Sequence, residues 1–201
     1  MEEYLLNLII LIILSLSVPL LFSQIIKTFI NSIIAKKLVF KTLWQDGDFP
    51  SSHTALVVNF NIIYWYTLLT TDFLKDNTHL LFIALLSGGF LLLWTFIEIR
   101  DAFGLRLRVQ EQANAIDGVL DLFEDIIEDD EKIKKIENYK KHLKLKAGHK
   151  VFEVIHGAIL GYSTSLLILC YIEFNHTFLL FSLTLIFYLL LIGIAYKKKQ
   201  N

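Results

Sequence analysis

Two histidines stand among neighbours that could turn them to chemistry. His53 lies in the run Phe49-Pro50-Ser51-Ser52-His53-Thr54-Ala55. The apolar stretch from Ala55 to Leu69 reads as a helix, so Pro50 falls just ahead of it and Ser51 or Ser52 takes the N-cap position. A helix start presents unpaired backbone N–H groups and the positive end of its dipole, which together suit an anion such as phosphate. In the first turn, His53 could give or take a proton there. The second histidine opens His149-x-x-x-Glu153-x-x-x-Gly157, and steps of this length put all three residues on one helix face. A carboxylate one turn on can hold one ring N–H, which fixes the tautomer and leaves the other nitrogen as nucleophile or base. Gly157 and Gly161 repeat the step and let another helix approach closely. Each stretch also has a plainer reading, as a Pro-Ser helix start and as a His–Glu pair within a helix.

Cations that could complete an anion site are Lys27, Arg106 and Arg108, with Asp101 close by. Arginine forks match phosphate oxygens in a way that lysine cannot. Alternatively, Arg100 and Arg108 form a juxtamembrane cluster that meets lipid headgroups, and Lys27 snorkels to the surface.

The elements that must position these groups are apolar. Of the 201 residues, 55% are hydrophobic and 13% aromatic, which points to a membrane protein. A net charge of -1 gives no reason to expect nucleic acid as a partner. Cys170 is the single cysteine, which excludes a disulfide within the chain and a metal site built on cysteine. Met1-Glu2-Glu3 lacks the basic start of a secretory signal, so the first apolar run is expected to remain as a span.

Spans are expected at Tyr4–Phe22, His53–Thr71, His79–Ile97, Val151–Ile172 and Phe178–Tyr196. Ser23 to Lys41 reads as a helix or half-helix along or just inside the membrane surface. Thr42 to Ser52, with Asp46, Gly47 and Asp48, reads as a loop, and Asp72 to Thr78 and Glu173 to His176 as turns. Asn59 and Asn61 are expected to bond between helices, and Ser87-Gly88-Gly89 to mark a close-packing spot. The region 98–148 is a polar insertion. Its first part continues the third helix, and Glu124 to Lys146 forms either an amphipathic surface helix or a solvated hairpin. The expected fold is therefore all-α, a polytopic helical bundle of about five transmembrane helices plus a helical insertion, as one domain over 1–201. Basic residues collect in 23–52, 98–150 and the tail Lys197-Lys198-Lys199, so these pieces are expected in the cytoplasm and the N-terminus outside.

The motifs also occur in a telling order. Phe49-Pro50-Ser51-Ser52-His53-Thr54-Ala55 precedes Asp101-Ala102-Phe103-Gly104-Leu105-Arg106 and Gln112-Ala113. Gly148-His149-x-x-x-Glu153-Val154-x-x-Gly157-Ala158-x-Leu160-Gly161 follows. Together they resemble the divergent branch of the type 2 phosphatidic acid phosphatase superfamily, related to acid phosphatases and vanadium haloperoxidases, over roughly residues 20 to 165. The resemblance implies a metal-free, cofactor-free hydrolase of a lipid phosphate or diphosphate that works through a phosphohistidine. His149 would attack phosphorus, Glu153 would orient it and His53 would protonate the leaving oxygen. Ser51, Ser52, Lys27 and Arg106 would hold phosphate oxygens, with Asp101 and Arg108 as further site candidates. The expected partner is a membrane lipid, the expected location the inner or plasma membrane of a bacterium, and a homodimer is compatible.

The superfamily's Lys-x6-Arg-Pro motif is absent after Lys27, and Leu143, Lys144 and Lys146 stand where an arginine precedes the nucleophile. Ser52 replaces a usual glycine and Glu153 a usual aspartate. These departures fall on the phosphate cradle rather than on the fold. Two other readings stay open: a lipid-phosphate binding or transport module without turnover, and a metal site on His53, His149, Glu153 and Asp101.

Overall fold

A computed structural model describes residues 2–40, 49–71, 77–127, 129–143, 148–173 and 176–200. The described residues form α1 (Glu2–Ala35), α2 (Ser52–Thr70), α3 (Thr78–Phe103), α4 (Leu105–Glu124), α5 (Asp130–His142), α6 (Val151–Glu173) and α7 (His176–Gln200). The expected loop residues Asp46, Gly47 and Asp48, together with Lys75, Lys144 and Lys146, lie outside the described residues, as does much of the two expected turns.

Among the described residues, four segments are long and apolar enough to cross a membrane: Leu6–Ala35, the stretch that opens with α3 at Thr78, Val151–Ile172 and Leu179–Lys199. Their outward faces carry large exposed side chains such as Ile13, Leu21, Phe90, Phe96 and Phe187, the surface a lipid environment accepts. The fifth expected span is α2, which is long enough at roughly 28 Å but more polar than the others. Its position explains this. It is the central helix, packed against α6, α1 and α3, so its polar side chains meet protein. Asn61 donates to the Leu91 carbonyl at 3.2 Å and to the Thr95 hydroxyl at 2.6 Å. With its amide turned to suit its neighbours, Asn59 donates to the Ser15 carbonyl at 3.0 Å. In that orientation it accepts from the Thr164 hydroxyl at 2.9 Å and the Ser165 N–H at 2.8 Å. One buried amide thus ties three helices.

The first departure from expectation is in α1. Ser23 to Ala35 is no separate surface half-helix but the continuation of one 34-residue helix that runs through Pro19. The reason is where its polar side chains go. Ser23 and Lys27 are buried, and Ile26 and Ile30 join a core with Phe49, Ala55, Leu160 and Leu189. The helix ends where Lys36 adopts a left-handed φ of 51°. Lys37 N–H then bonds back to the Ser32 carbonyl at 3.2 Å, and Lys36 N–H to that of Ile33 at 3.3 Å, the closure that left-handed caps make.

The second departure is in the insertion. Helix breaks at Gly104, so the stretch from Glu98 to Arg108 bends instead of running straight out of the bundle. Beyond it, α4 and α5 pair as a hairpin, in keeping with the solvated hairpin that the sequence allows rather than with a lone surface helix over Glu124 to Lys146. Lys140 bridges Asp121 at 2.5 Å and Glu124 at 2.6 Å, and these carboxylates hold its ammonium well above the ordinary lysine range.

The contact that matters most for the site is between α2 and α6. A Cβ on Gly157 would stand 2.5 Å from the Ser51 carbonyl oxygen, and one on Gly161 2.5 Å from that of Ala55. The missing side chains let the two backbones close. Gly157→Ala is accordingly expected to cost about 1–3 kcal/mol through overpacking, read as a melting temperature lower by several degrees in detergent. An unchanged melting temperature would mean that the helices separate there without cost.

Candidate functional site

The site is assembled at one end of the bundle, where α2, α4 and α6 begin and α3 and α7 finish. Ser51 is the N-cap of α2: its hydroxyl oxygen accepts from the Thr54 N–H at 3.4 Å and from the Thr54 hydroxyl at 3.0 Å. Its own N–H donates to the Glu153 carbonyl at 3.1 Å, which fastens the start of α2 to the first turn of α6. Lys27 reaches in from α1 and donates to the Ser52 hydroxyl at 2.8 Å. Only 2% of its surface is exposed, so it does not snorkel. A buried ammonium on Ser52 at a helix start adds its charge to the positive end of the helix dipole, which makes this an anion seat by its potential.

His149 and Glu153 form the facing wall, and both are buried. The His149 N–H donates to the Ala102 carbonyl at 3.0 Å, and the Gly148 N–H to Gln110 Oε1 at 3.1 Å. A Cβ on Gly148 would collide with the Leu107 backbone, so only glycine lets this strand of chain press onto the α3–α4 bend. Glu153 reaches back to the Lys150 N–H at 3.2 Å, as a residue in the first helical turn does in a capping box. The same oxygen, Oε2, lies 3.2 Å from His149 Nδ1. An ionised carboxylate can only accept, so this contact favours a proton on Nδ1, the arrangement that leaves the Nε2 lone pair for chemistry. Glu153 therefore caps the helix and fixes the imidazole with one group.

Across from this wall, His53 is exposed on α2. It lies within electrostatic reach of His149, Arg106, Glu98 and Lys27, so the two imidazoles share one end of the bundle and one charged neighbourhood. Arg106 belongs to the rim. Its Nε donates to Asp101 at 2.5 Å, and its other arm stands 3.7 Å from Glu98. Asp101 is thereby engaged as an arginine partner. Arg108 is exposed on α4 and makes no hydrogen bond to this cluster among the described residues.

Of the residues singled out from sequence, the structure thus groups Lys27, Ser51, Ser52, His53, His149 and Glu153, sets Asp101 and Arg106 together at the edge, and leaves Arg108 outside. Among the described residues, no three His, Cys, Asp or Glu side chains are placed to hold a metal ion. Three contributors had no reading from sequence. Glu98 precedes Asp101 by one turn, a spacing visible at the end of the third span. Gln110 and Tyr196, whose hydroxyl donates to Glu153 Oε1 at 3.1 Å, left no local signal, because their partners lie far along the chain.

The chain belongs to the Divergent PAP2 family, whose model matches residues 8–164. It is also similar to "Uncharacterized membrane protein YuiD" of Bacillus subtilis (strain 168), with 29% identity over 146 residues, covering 71% of this chain and 83% of the relative. No solved structure matches it. Family membership and the apolar helices together make this an integral membrane protein with a phosphatase-like fold.

Proposed function

We propose that this protein hydrolyses a lipid phosphate or diphosphate through a phosphohistidine intermediate. The observation that carries the reading is the pairing of an anion seat with a poised imidazole. The N-terminus of α2, Ser51, Ser52 and buried Lys27 lie against the turn in which Glu153 holds His149 by Nδ1. Phosphoryl transfer asks chiefly for such positioning and charge neutralisation.

In the first step His149 Nε2 attacks phosphorus, and a P–N bond forms as the P–O bond to the lipid breaks. His53 gives its proton to the departing oxygen. In the second step His53 takes a proton from water, the hydroxide attacks phosphorus, and the P–N bond breaks to release inorganic phosphate and free His149. Lys27 and the helix N–H groups neutralise the phosphoryl oxygens throughout. Arg106 joins them by exchanging Asp101 for a phosphate oxygen.

A lipid substrate is supported by the surface below the site. On the side of α2 that bears His53, Phe60, Tyr64 and Thr67 line an apolar groove of about 1050 Å³ shared with α1 and α3. We place a hydrocarbon chain in it, with the headgroup at the helix start beyond Phe60. The basic tail at Lys197–Lys199 and the arginines after Ile97 favour a cytoplasmic site, with the N-terminus outside.

One observation favours a second reading, binding or transport without turnover: Arg106 is already neutralised by Asp101 and Glu98. One experiment separates the two. Protein purified in detergent is offered phosphatidic acid, phosphatidylglycerol phosphate, and polyprenyl phosphates and diphosphates. Phosphate release that vanadate blocks and His53→Ala sharply reduces is the expected result. Tight binding of a lipid phosphate with no release would establish the second reading instead.

A further inference from the structure

The C-terminal end of α7 returns to the site and carries Tyr196, one turn before the helix finishes and beyond the residues matched to the family. Its hydroxyl donates to Glu153 Oε1 at 3.1 Å. Glu153 Oε2 is occupied by His149 Nδ1 and the Lys150 N–H. Both oxygens of this buried carboxylate are therefore assigned, each to a different helix end.

The direction of the Tyr196 hydroxyl is itself fixed. The ring stacks on Phe152 with centroids 4.6 Å apart and planes 25° apart, and it lies 5.8 Å from Phe49, the residue that leads into the cradle. Phe49 is fully buried and also packs against His156 and Phe152. The aromatic cluster thus links α7 to the turn before α2 and to the first turn of α6, which are the two walls of the anion seat.

A carboxylate held through one oxygen alone can turn about its terminal bond and tilt the imidazole with it. Held through both, it keeps its plane, and the imidazole keeps its tautomer. We propose that Tyr196 is a positioning residue: by fixing Glu153 Oε1 it holds His149 with Nδ1 protonated and Nε2 directed at the anion seat. This rests on the hydrolase reading above for its consequence in catalysis, though not for its effect on the imidazole. The hydroxyl acts through Glu153 and does not touch the substrate.

The test is Tyr196→Phe in the full-length protein in detergent, which keeps the stacked ring and removes only the hydroxyl. The turnover number kcat should fall about tenfold, the loss typical when an outer partner of a functional histidine is removed, with KM within about twofold of wild type. A second readout does not depend on turnover: 15N NMR of histidine-labelled protein, with His149 assigned by comparison with His149→Gln. Wild type should show the Nδ1-protonated tautomer, and Tyr196→Phe a measurable rise in the Nε2-protonated form. Wild-type kcat together with an unchanged tautomer ratio would overturn the proposal and leave Tyr196 a packing residue. If the wild-type protein hydrolyses none of the lipid phosphates, the hydrolase reading fails by itself, and the tautomer ratio alone decides for or against the positioning role.

Discussion

Replacing His149 with alanine is expected to lower kcat/KM for phosphate release by at least about a thousandfold, as loss of a covalent nucleophile does. The expectation follows from what remains in its place. Lys27, Ser52 and the α2 N-terminus still form the anion seat, so the lipid phosphate should bind to the variant with little loss. Glu153 is not placed to take over the attack, because it is turned toward the helix start and toward Tyr196. The fold should survive as well, since the contacts that fasten this turn to the α3–α4 bend run through the backbone of residues 148 and 149. Phosphate release and lipid binding measured on the same preparation separate the two effects. Loss of binding in step with loss of turnover would mean that His149 holds the anion rather than attacking it.

Lys27→Met should produce the opposite split between activity and stability. Lys27 is buried beside Ile26 and Ile30, and its ammonium reaches the Ser52 hydroxyl. Methionine has a similar length and fills the same channel without a charge to desolvate. The substitution removes the cost of desolvating a buried ion together with its hydrogen bonds, so the melting temperature should stay within a few degrees of wild type. The phosphoryl oxygens, however, lose a charged donor of about 1.5–3 kcal/mol. A fall in kcat/KM of roughly ten- to a hundredfold is expected, measured as phosphate release from the preferred lipid. Full activity would remove Lys27 from the cradle. A collapse in melting temperature would make it a structural ion instead.

The starts of α2 and α6 were legible because their chemistry is local. A serine before an apolar run caps a helix wherever it stands, and a carboxylate one turn after a histidine meets it on any helix. The pairing of the two starts was legible only in part. Gly157 and Gly161 marked a face for close approach, but not that Ser51 and Ala55 would fill it. The second half of α1 was misread for a physical reason. Lys27 and Lys36 lower the local hydropathy, which suggests a surface segment, yet one of them points inward to Ser52 and the other ends the helix. The ion pairs of Arg106 were not legible: its sequence neighbours suggested a phosphate ligand, and the bend at Gly104 also folds it back onto Asp101 and Glu98. The length of α2 suggests a span, although it is not one of the four segments apolar enough to cross by composition; its asparagines do bond between helices, because a central helix can satisfy amides that a lipid-facing helix cannot. Tyr196 lies 43 residues from Glu153, and nothing near either one announces the bond.

The account turns on a phosphoryl group passing through the His149 imidazole. The most direct measurement is to mix the purified protein with its lipid substrate, quench within milliseconds into alkali, where phosphohistidine survives, and map the modified peptide by mass spectrometry. The predicted result is phosphate on His149, formed in a burst before inorganic phosphate accumulates. Steady hydrolysis with no phosphate on any histidine, or with the phosphate on a different side chain, would contradict it.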